Sequence, residues 1–208
     1  MSQTMTQPAQ TNSNNSPVQL QSLTIGVVGE NGSGKSTVCN ILQKHHFNII
    51  SLSDIVRKQA TLRNRDHSRD SLTETANELK AAEGSAVLAI KSVELANSFQ
   101  SEADYKRTVF DSIRNKEEVD YLKSQGIYLI GIQASLESRF ERIKERQRES
   151  DHIDFETFKK QCMREYEGQS SGQNIKEALN ACDEIISNDG TQENLEEKIL
   201  EILKKLEK

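Results

Sequence analysis

One stretch constrains this chain more than any other: Ile25-Gly26-Val27-Val28-Gly29-Glu30-Asn31-Gly32-Ser33-Gly34-Lys35-Ser36-Thr37. It reads as a short apolar strand, a glycine-rich turn and the start of a helix. The turn matches the Walker A pattern G-x-x-x-x-G-K-[ST], with Gly29 and Gly34 as the fixed glycines. Glycines at 29, 32 and 34 permit backbone angles and close approaches that a Cβ blocks. Successive backbone N–H groups then converge on an anion, and the helix N-terminus adds partial positive charge. The segment Gly29, Glu30, Asn31, Gly32, Ser33, Gly34, Lys35, Ser36 and Thr37 is therefore expected to cradle the phosphates of a nucleoside triphosphate. Lys35 would reach the β- and γ-phosphates and the Ser36 hydroxyl would ligate Mg²⁺.

The rest of the composition narrows the class. A chain of 208 residues suits one domain of ordinary size, and a formal charge of −5 supplies no global basic field for nucleic acid. Cys39, Cys162 and Cys182 are far apart and odd in number, which argues against a disulfide or metal framework. They fit packing roles in a reducing, cytoplasmic compartment. No apolar run approaches a membrane span. Residues 1–21 are rich in Gln, Asn, Ser and Thr and hold both prolines, so they read as a disordered polar tail, either a solvated extension or a handle for a protein partner.

From residue 22 onward, apolar runs alternate with amphipathic stretches. Strands are expected at 23–28, 47–52, 107–110, 127–133 and 184–187, separated by helices, which predicts a three-layer α/β fold around a parallel sheet. Ser53 is expected to cap a helix running to Ala60, and Ser71-Leu72-Thr73-Glu74 matches a capping box ending at Gly84. Between them lies a basic stretch, Arg57, Lys58, Arg63, Arg65 and Arg69, either a solvated loop or a clamp for a second anionic substrate. Asp111 stands at the carboxyl end of the third strand, where it would hold a water of the Mg²⁺ shell or orient an acceptor. Ser135 should cap a helix in which Leu136, Phe140 and Ile143 form one stripe. Arg139, Arg142 and Arg146 form a second, available to phosphates or to the neighbouring Glu137, Glu141 and Glu145. The stretch 147–172 would serve as a lid.

Taken in order, these pieces resemble the nucleoside-monophosphate-kinase-like P-loop proteins. They are Gly29 to Thr37, Ser53-Asp54-Ile55-Val56-Arg57, Arg69-Asp70-Ser71-Leu72 with Asn77-Glu78-Leu79, Asp111-Ser112-Ile113-Arg114-Asn115 with Glu118, the three arginines, and Ile186-Ser187-Asn188-Asp189-Gly190. The nearest look is to the branch termed dephospho-CoA kinase-like or adenylate-kinase-related. Its D-G-[IV]-R-N segment is similar to Asp111 to Asn115, with Ser112 where glycine is usual. The apolar Asp-x-Pro-Leu-Leu segment of dephospho-CoA kinases is missing here. The resemblance implies a P-loop NTPase fold with sheet order 2-3-1-4-5, a helical substrate-binding insertion and a lid. It also implies ATP and Mg²⁺ as cofactors, with Ser36 and Asp111 as the metal side. Asp54, Arg57, Arg69 and Arg114 would line an acceptor site, and Arg139, Arg142 and Arg146 would neutralise the transferring phosphoryl group together with Lys35. The expected activity is phosphoryl transfer from ATP to a nucleotide-like small molecule, most simply a (deoxy)nucleoside monophosphate. Dephospho-CoA kinase activity, or a nucleotide-sensing module without efficient transfer, are the alternatives.

Overall fold

The computed structural model describes residues 23–99, 107–146, 153–166 and 174–207. The tail expected at 1–21 lies outside them, as do both ends of the lid expected at 147–172, residues 147–152 and 167–172. Among the described residues, strands β1 (Thr24–Gly29), β2 (Asn48–Ser51), β3 (Thr108–Ile113), β4 (Tyr128–Gln133) and β5 (Glu184–Ser187) form one parallel sheet in the order β2-β3-β1-β4-β5. This is the order expected from the sequence.

The helices are α1 (Lys35–Lys44), α2 (Leu52–Leu62), α3 (Arg69–Glu83), α4 (Val87–Ser98), α5 (Lys116–Ser124), α6 (Leu136–Arg146), α7 (Phe155–Tyr166), α8 (Ile175–Asn180) and α9 (Gln192–Leu206). Side-chain alternation along the strands splits them into two layers. Ile25 and Val27 of β1 face one way, with Val38, Ile41 and Leu42 of α1 and Leu195, Ile199 and Ile202 of α9. Val28 faces the other, with Ile55 and Val56 of α2, Val93 of α4, Val119 of α5 and Leu179 of α8. Every β1 residue is buried, as a strand covered on both faces must be.

Several local expectations shift. Ser51, not Ser53, takes the cap position of α2, in extended backbone, so Ser53 already lies inside the first turn. Helix α3 begins at Arg69, before Ser71, because the Ser68 hydroxyl accepts from the Ser71 N–H. The Ser71 hydroxyl, expected to cap, donates instead to the Asp66 carbonyl at 2.9 Å. Gly84 does end α3, with φ +96°. Strand β3 runs beyond Phe110 to Ile113, since parallel partners on both sides keep its backbone paired. Asp111 thus lies within the strand, not just beyond it. Asn115 and Glu118 form a capping box at the start of α5, and Thr191 and Asn194 make another for α9.

Because all five strands are parallel, their carboxyl ends lie along one edge. The turn after β1, Ser51 to Ser53 after β2, Asp111 to Asn115 from β3, Ser135 after β4 and Asn188-Asp189 after β5 all gather there, the edge where ligands of open α/β sheets bind.

Candidate phosphate-binding site

The turn from Gly29 to Gly34 closes on itself through Ser33 N–H donating to Glu30 O at 3.2 Å. Gly32 and Gly34 have φ of +79° and +106°, angles that disfavour any side chain. Space excludes one too: a Cβ on Gly32 would sit 2.6 Å from the Arg139 carbonyl oxygen, and one on Gly34 would overlap the Asn188 side-chain amide. A Cβ on Gly29 would lie 2.6 Å from both Ile132 O and Ser33 Oγ. The three glycines are therefore required by contacts with β4, α6 and the β5–α9 turn, as well as by the shape of the loop.

The carbonyls of the loop are held from outside. Arg139 Nη1 donates to Asn31 O at 3.3 Å, and Asn188 Nδ2 donates to Ser33 O at 2.8 Å. Arg142 reaches Ser33 O at 3.5 Å and Asn188 O at 2.7 Å, and Arg146 reaches Asn31 Oδ1 at 3.3 Å. A trans peptide sets its N–H opposite its C=O. Turning the Asn31 and Ser33 carbonyls toward α6 and the β5–α9 turn thus turns the Gly32 and Gly34 N–H groups the other way. Lys35 Nζ donates to Glu30 O at 2.8 Å across the mouth of the loop. Helix α1 starts at Lys35 with no side-chain cap and no acidic residue in its first turn. Its terminal N–H groups and dipole are thus left to favour an anion. Ser36 is exposed in that first turn.

The arginine stripe on α6 does meet the loop, but Arg139 is buried in an ion pair. Its Nη1 lies 3.1 Å from Glu30 Oε1, with the two side chains only 6% and 13% exposed. Its guanidinium also lies over the Phe158 ring, 5.7 Å from the centroid, and donates to Cys162 Sγ at 3.4 Å. Arg139 thus joins the phosphate loop to α7. Neither the Glu30 pair nor the Asn188 bracket is legible in local sequence. Asn188 has a local signal only as a turn residue, while its function as a bracket depends on a partner 155 residues away.

Asp111 shares its face of β3 with Val109, which packs with α1. Its charge is felt at Cys39 on α1, whose thiol is pushed up to about 12, chiefly by burial and further by Asp111, against the opposing charge of Lys35. The Asp111 Oδ1 atom is buried without a hydrogen-bond partner, as is Ser33 Oγ inside the loop. Both are groups that a bound ion or phosphate would satisfy.

The expected acceptor residues divide. Asp54 and Arg57 pair on exposed turns of α2, and Arg57 also donates to Ser53 Oγ at 3.0 Å. Arg114 is exposed just past β3, its backbone N–H held at 2.8 Å by buried Glu118. The Arg69 side chain lies outside the described set. Arg65 is committed elsewhere, forked onto Glu78 at 2.7 and 3.0 Å, and Arg63 lies beside the same carboxylate. Those two belong to the packing of α2 on α3. The turn after β5 is fixed by Asp189, which accepts from Ser135 N–H at 2.8 Å and is thereby held below the usual carboxylate range.

A parallel sheet in this order, with a glycine loop between its first strand and helix, defines a P-loop NTPase-like α/β protein. The family model described as AAA domain matches residues 25–164. A UPF0200 protein of Methanocaldococcus jannaschii is 30% identical over 191 residues, covering 89% of this chain and 93% of the relative. The chain belongs to the AAA-domain family, among the UPF0200 proteins. A UPF0200/UPF0201 protein of Archaeoglobus fulgidus is 33% identical over 91% of this chain, which spans 57% of that relative's length. Among solved structures, TT1252 of Thermus thermophilus superposes with a TM-score of 0.58 at 20% identity, covering 89% of this chain and 98% of that one. Shikimate kinase of Bacteroides thetaiotaomicron superposes with a TM-score of 0.52 at 14% identity, covering 88% and 98%. At such identities these likenesses establish the fold alone.

Proposed function

We propose that this protein transfers the γ-phosphoryl group of ATP to a nucleotide-like small molecule, a (deoxy)nucleoside monophosphate being the simplest. The observation that carries the reading is the pairing of two features on one sheet edge. One is an anion-shaped loop; the other is Asp111, whose buried, unpartnered oxygen shares the α1 face. The residues present fit ATP and Mg²⁺. The cradle cannot admit a Cβ at Gly29, Gly32 or Gly34, the Ser36 hydroxyl is exposed at the helix start, and Asp111 Oδ1 lacks a partner. Ser36 and Asp111 would hold the ion, which when bound supplies charge neutralisation at the β- and γ-phosphates.

The chain's own residues do the positioning. Lys35 and the loop N–H groups orient the phosphates. Arg139 and Arg142 brace the loop carbonyls from behind and Arg146 holds the Asn31 side chain, so that the N–H groups face the ligand without rearranging; such preorganisation is the main source of electrostatic catalysis. Asp54, Arg57 and Arg114 form the acceptor side. A phosphate acceptor needs no base; a hydroxyl acceptor would use Asp54 or Asp111.

The test is ATP consumption against a panel of nucleoside monophosphates, dephospho-CoA and shikimate. Turnover with one acceptor class, lost in Lys35→Ala together with ATP affinity, is the expected result. ATP binding without turnover on any acceptor would overturn the transferase reading and leave nucleotide sensing. Unchanged ATP affinity in Lys35→Ala would overturn the assignment of the loop.

A further inference from the structure

Strand β3 carries a bulge where it meets β1. Gly26 pairs with Phe110 and Val28 with Ile113, so Val27 alone faces both Asp111 and Ser112. Ser112 takes the strained place in that bulge, with φ +66°, one of three non-glycine residues with positive φ among the described ones. Bulges of this kind favour glycine there and are common beside active sites, where they re-aim a side chain. The bulge returns Ile113 to the Phe110 side of the sheet while leaving Asp111 on the α1 side.

The serine hydroxyl is engaged on both sides. Ser112 Oγ donates to Asp111 Oδ2 at 3.2 Å, and Ser51 Oγ donates to Ser112 Oγ at 3.2 Å. Ser51 Oγ lies 2.8 Å from Ser53 Oγ, which accepts from Arg57 Nη1 at 3.0 Å. Each hydroxyl has one proton. Since Ser112 gives its proton to the carboxylate and Ser51 gives its own to Ser112, the Ser53 proton must go to Ser51. Arg57, a donor only, closes the row. The chain therefore has one direction, from the guanidinium on α2 to one oxygen of Asp111. It leaves the other, buried oxygen bare.

We propose that Ser112 is a positioning residue for the phosphoryl transfer proposed above, clamping Oδ2 of Asp111 so that Oδ1 is presented to the metal side, with Ser51 and Ser53 linking that clamp to Arg57 on the acceptor side. Serine in place of an unstrained glycine at this bulge is then explained by its hydroxyl. The proposal rests on the transferase reading. Three variants test it. Ser112→Gly removes the hydroxyl and relieves the backbone; Ser51→Ala removes the next link; Ser112→Asn tolerates positive φ and keeps a donor. Each is measured for thermal unfolding without nucleotide, ATP affinity in EDTA and in Mg²⁺, and kcat and KM for the acceptor that the panel identifies.

Ser112→Gly should unfold no lower than the natural protein and bind ATP equally in EDTA. It should lose about 10- to 100-fold in the Mg²⁺-dependent gain in affinity and in kcat, the usual cost of removing a group that orients a metal ligand. Ser51→Ala should show a smaller loss of the same kind, and Ser112→Asn a partial recovery. A Ser112→Gly protein with undiminished Mg²⁺ dependence and kcat overturns the proposal while leaving the transferase reading intact. If the natural protein shows neither Mg²⁺-dependent ATP binding nor turnover, the transferase reading falls and the role given to Ser112 falls with it.

Discussion

Replacing Glu30 by alanine would strand Arg139. The two side chains meet at 3.1 Å with 6% and 13% exposure, so neither charge is well hydrated. Removing one partner of a buried pair typically costs about 3–5 kcal/mol, because the other charge is left uncompensated. Here Arg139 keeps the Asn31 carbonyl at 3.3 Å, the Cys162 sulfur at 3.4 Å and the face of Phe158. Those contacts soften the loss to about 2–3 kcal/mol, on the scale of hydrogen bonds to a charged group. For a chain of this size about 2–4 °C of Tm goes with each kcal/mol, so Glu30→Ala should lower Tm by about 4–12 °C. Removing the stranded charge as well, in Glu30→Ala with Arg139→Met, should recover part of the loss, since an apolar side chain against Phe158 costs no desolvation. The assay is thermal and urea unfolding followed by circular dichroism for the two single variants and the double variant. A Glu30→Ala protein within about 1 °C of the natural one, or additive effects in the cycle, would refute the claim that this pair is desolvated and coupled.

Two further outcomes follow from local geometry. Gly32→Ala should fold poorly or open the loop, since its Cβ would lie 2.6 Å from the Arg139 carbonyl at a φ of +79°; thermal unfolding should show a loss above the roughly 1–2 kcal/mol that positive φ alone costs an alanine. Glu118 is buried, and burial holds its carboxyl above the ordinary value of 4.5 despite the opposing effects of Lys80 and of the Arg114 and Asn115 N–H groups. A carboxyl raised in the folded state binds more protons there than when unfolded, so this group lowers stability as pH rises from 4.5 through its folded value. Glu118→Gln keeps an acceptor for the two N–H groups without the charge. Its stability relative to the natural protein should increase across that rise in pH, and a flat difference curve from urea unfolding at several pH values would contradict the assignment.

The basic stretch that follows β2 shows how far local signals reach. Arg57, Arg63 and Arg65 look alike in sequence, yet Arg65 forks onto Glu78 while Arg57 joins the hydroxyl row that leads to Asp111. The Arg57 partners Ser53 and Asp54 lie within one turn of its own helix, whereas the Arg65 fork depends on how α3 lies against α2. The start of α3 is similar. Ser71 to Glu74 satisfies a capping pattern, but Ser68 and Asp66 in the preceding turn take over the Ser71 N–H and hydroxyl, and the helix begins earlier.

What this chain's sequence determined alone is what short-range physics controls. Glycine permissiveness at Gly32 and Gly34, the strand and helix periods, and caps such as Asn115 with Glu118 involve atoms only a few residues apart. These sufficed for the sheet order, through the resemblance they carry, and for the phosphate loop. Tertiary structure decided what the arginines do. Arg139 meets Asn31 across 108 residues and Asn188 meets Ser33 across 155, and the burial that makes the Glu30 pair costly to break exists only once α6 and α7 close over the loop. The Asp111–Ser112 bulge likewise arises from pairing with β1, since a register slip is a property of two strands and is not encoded in either one.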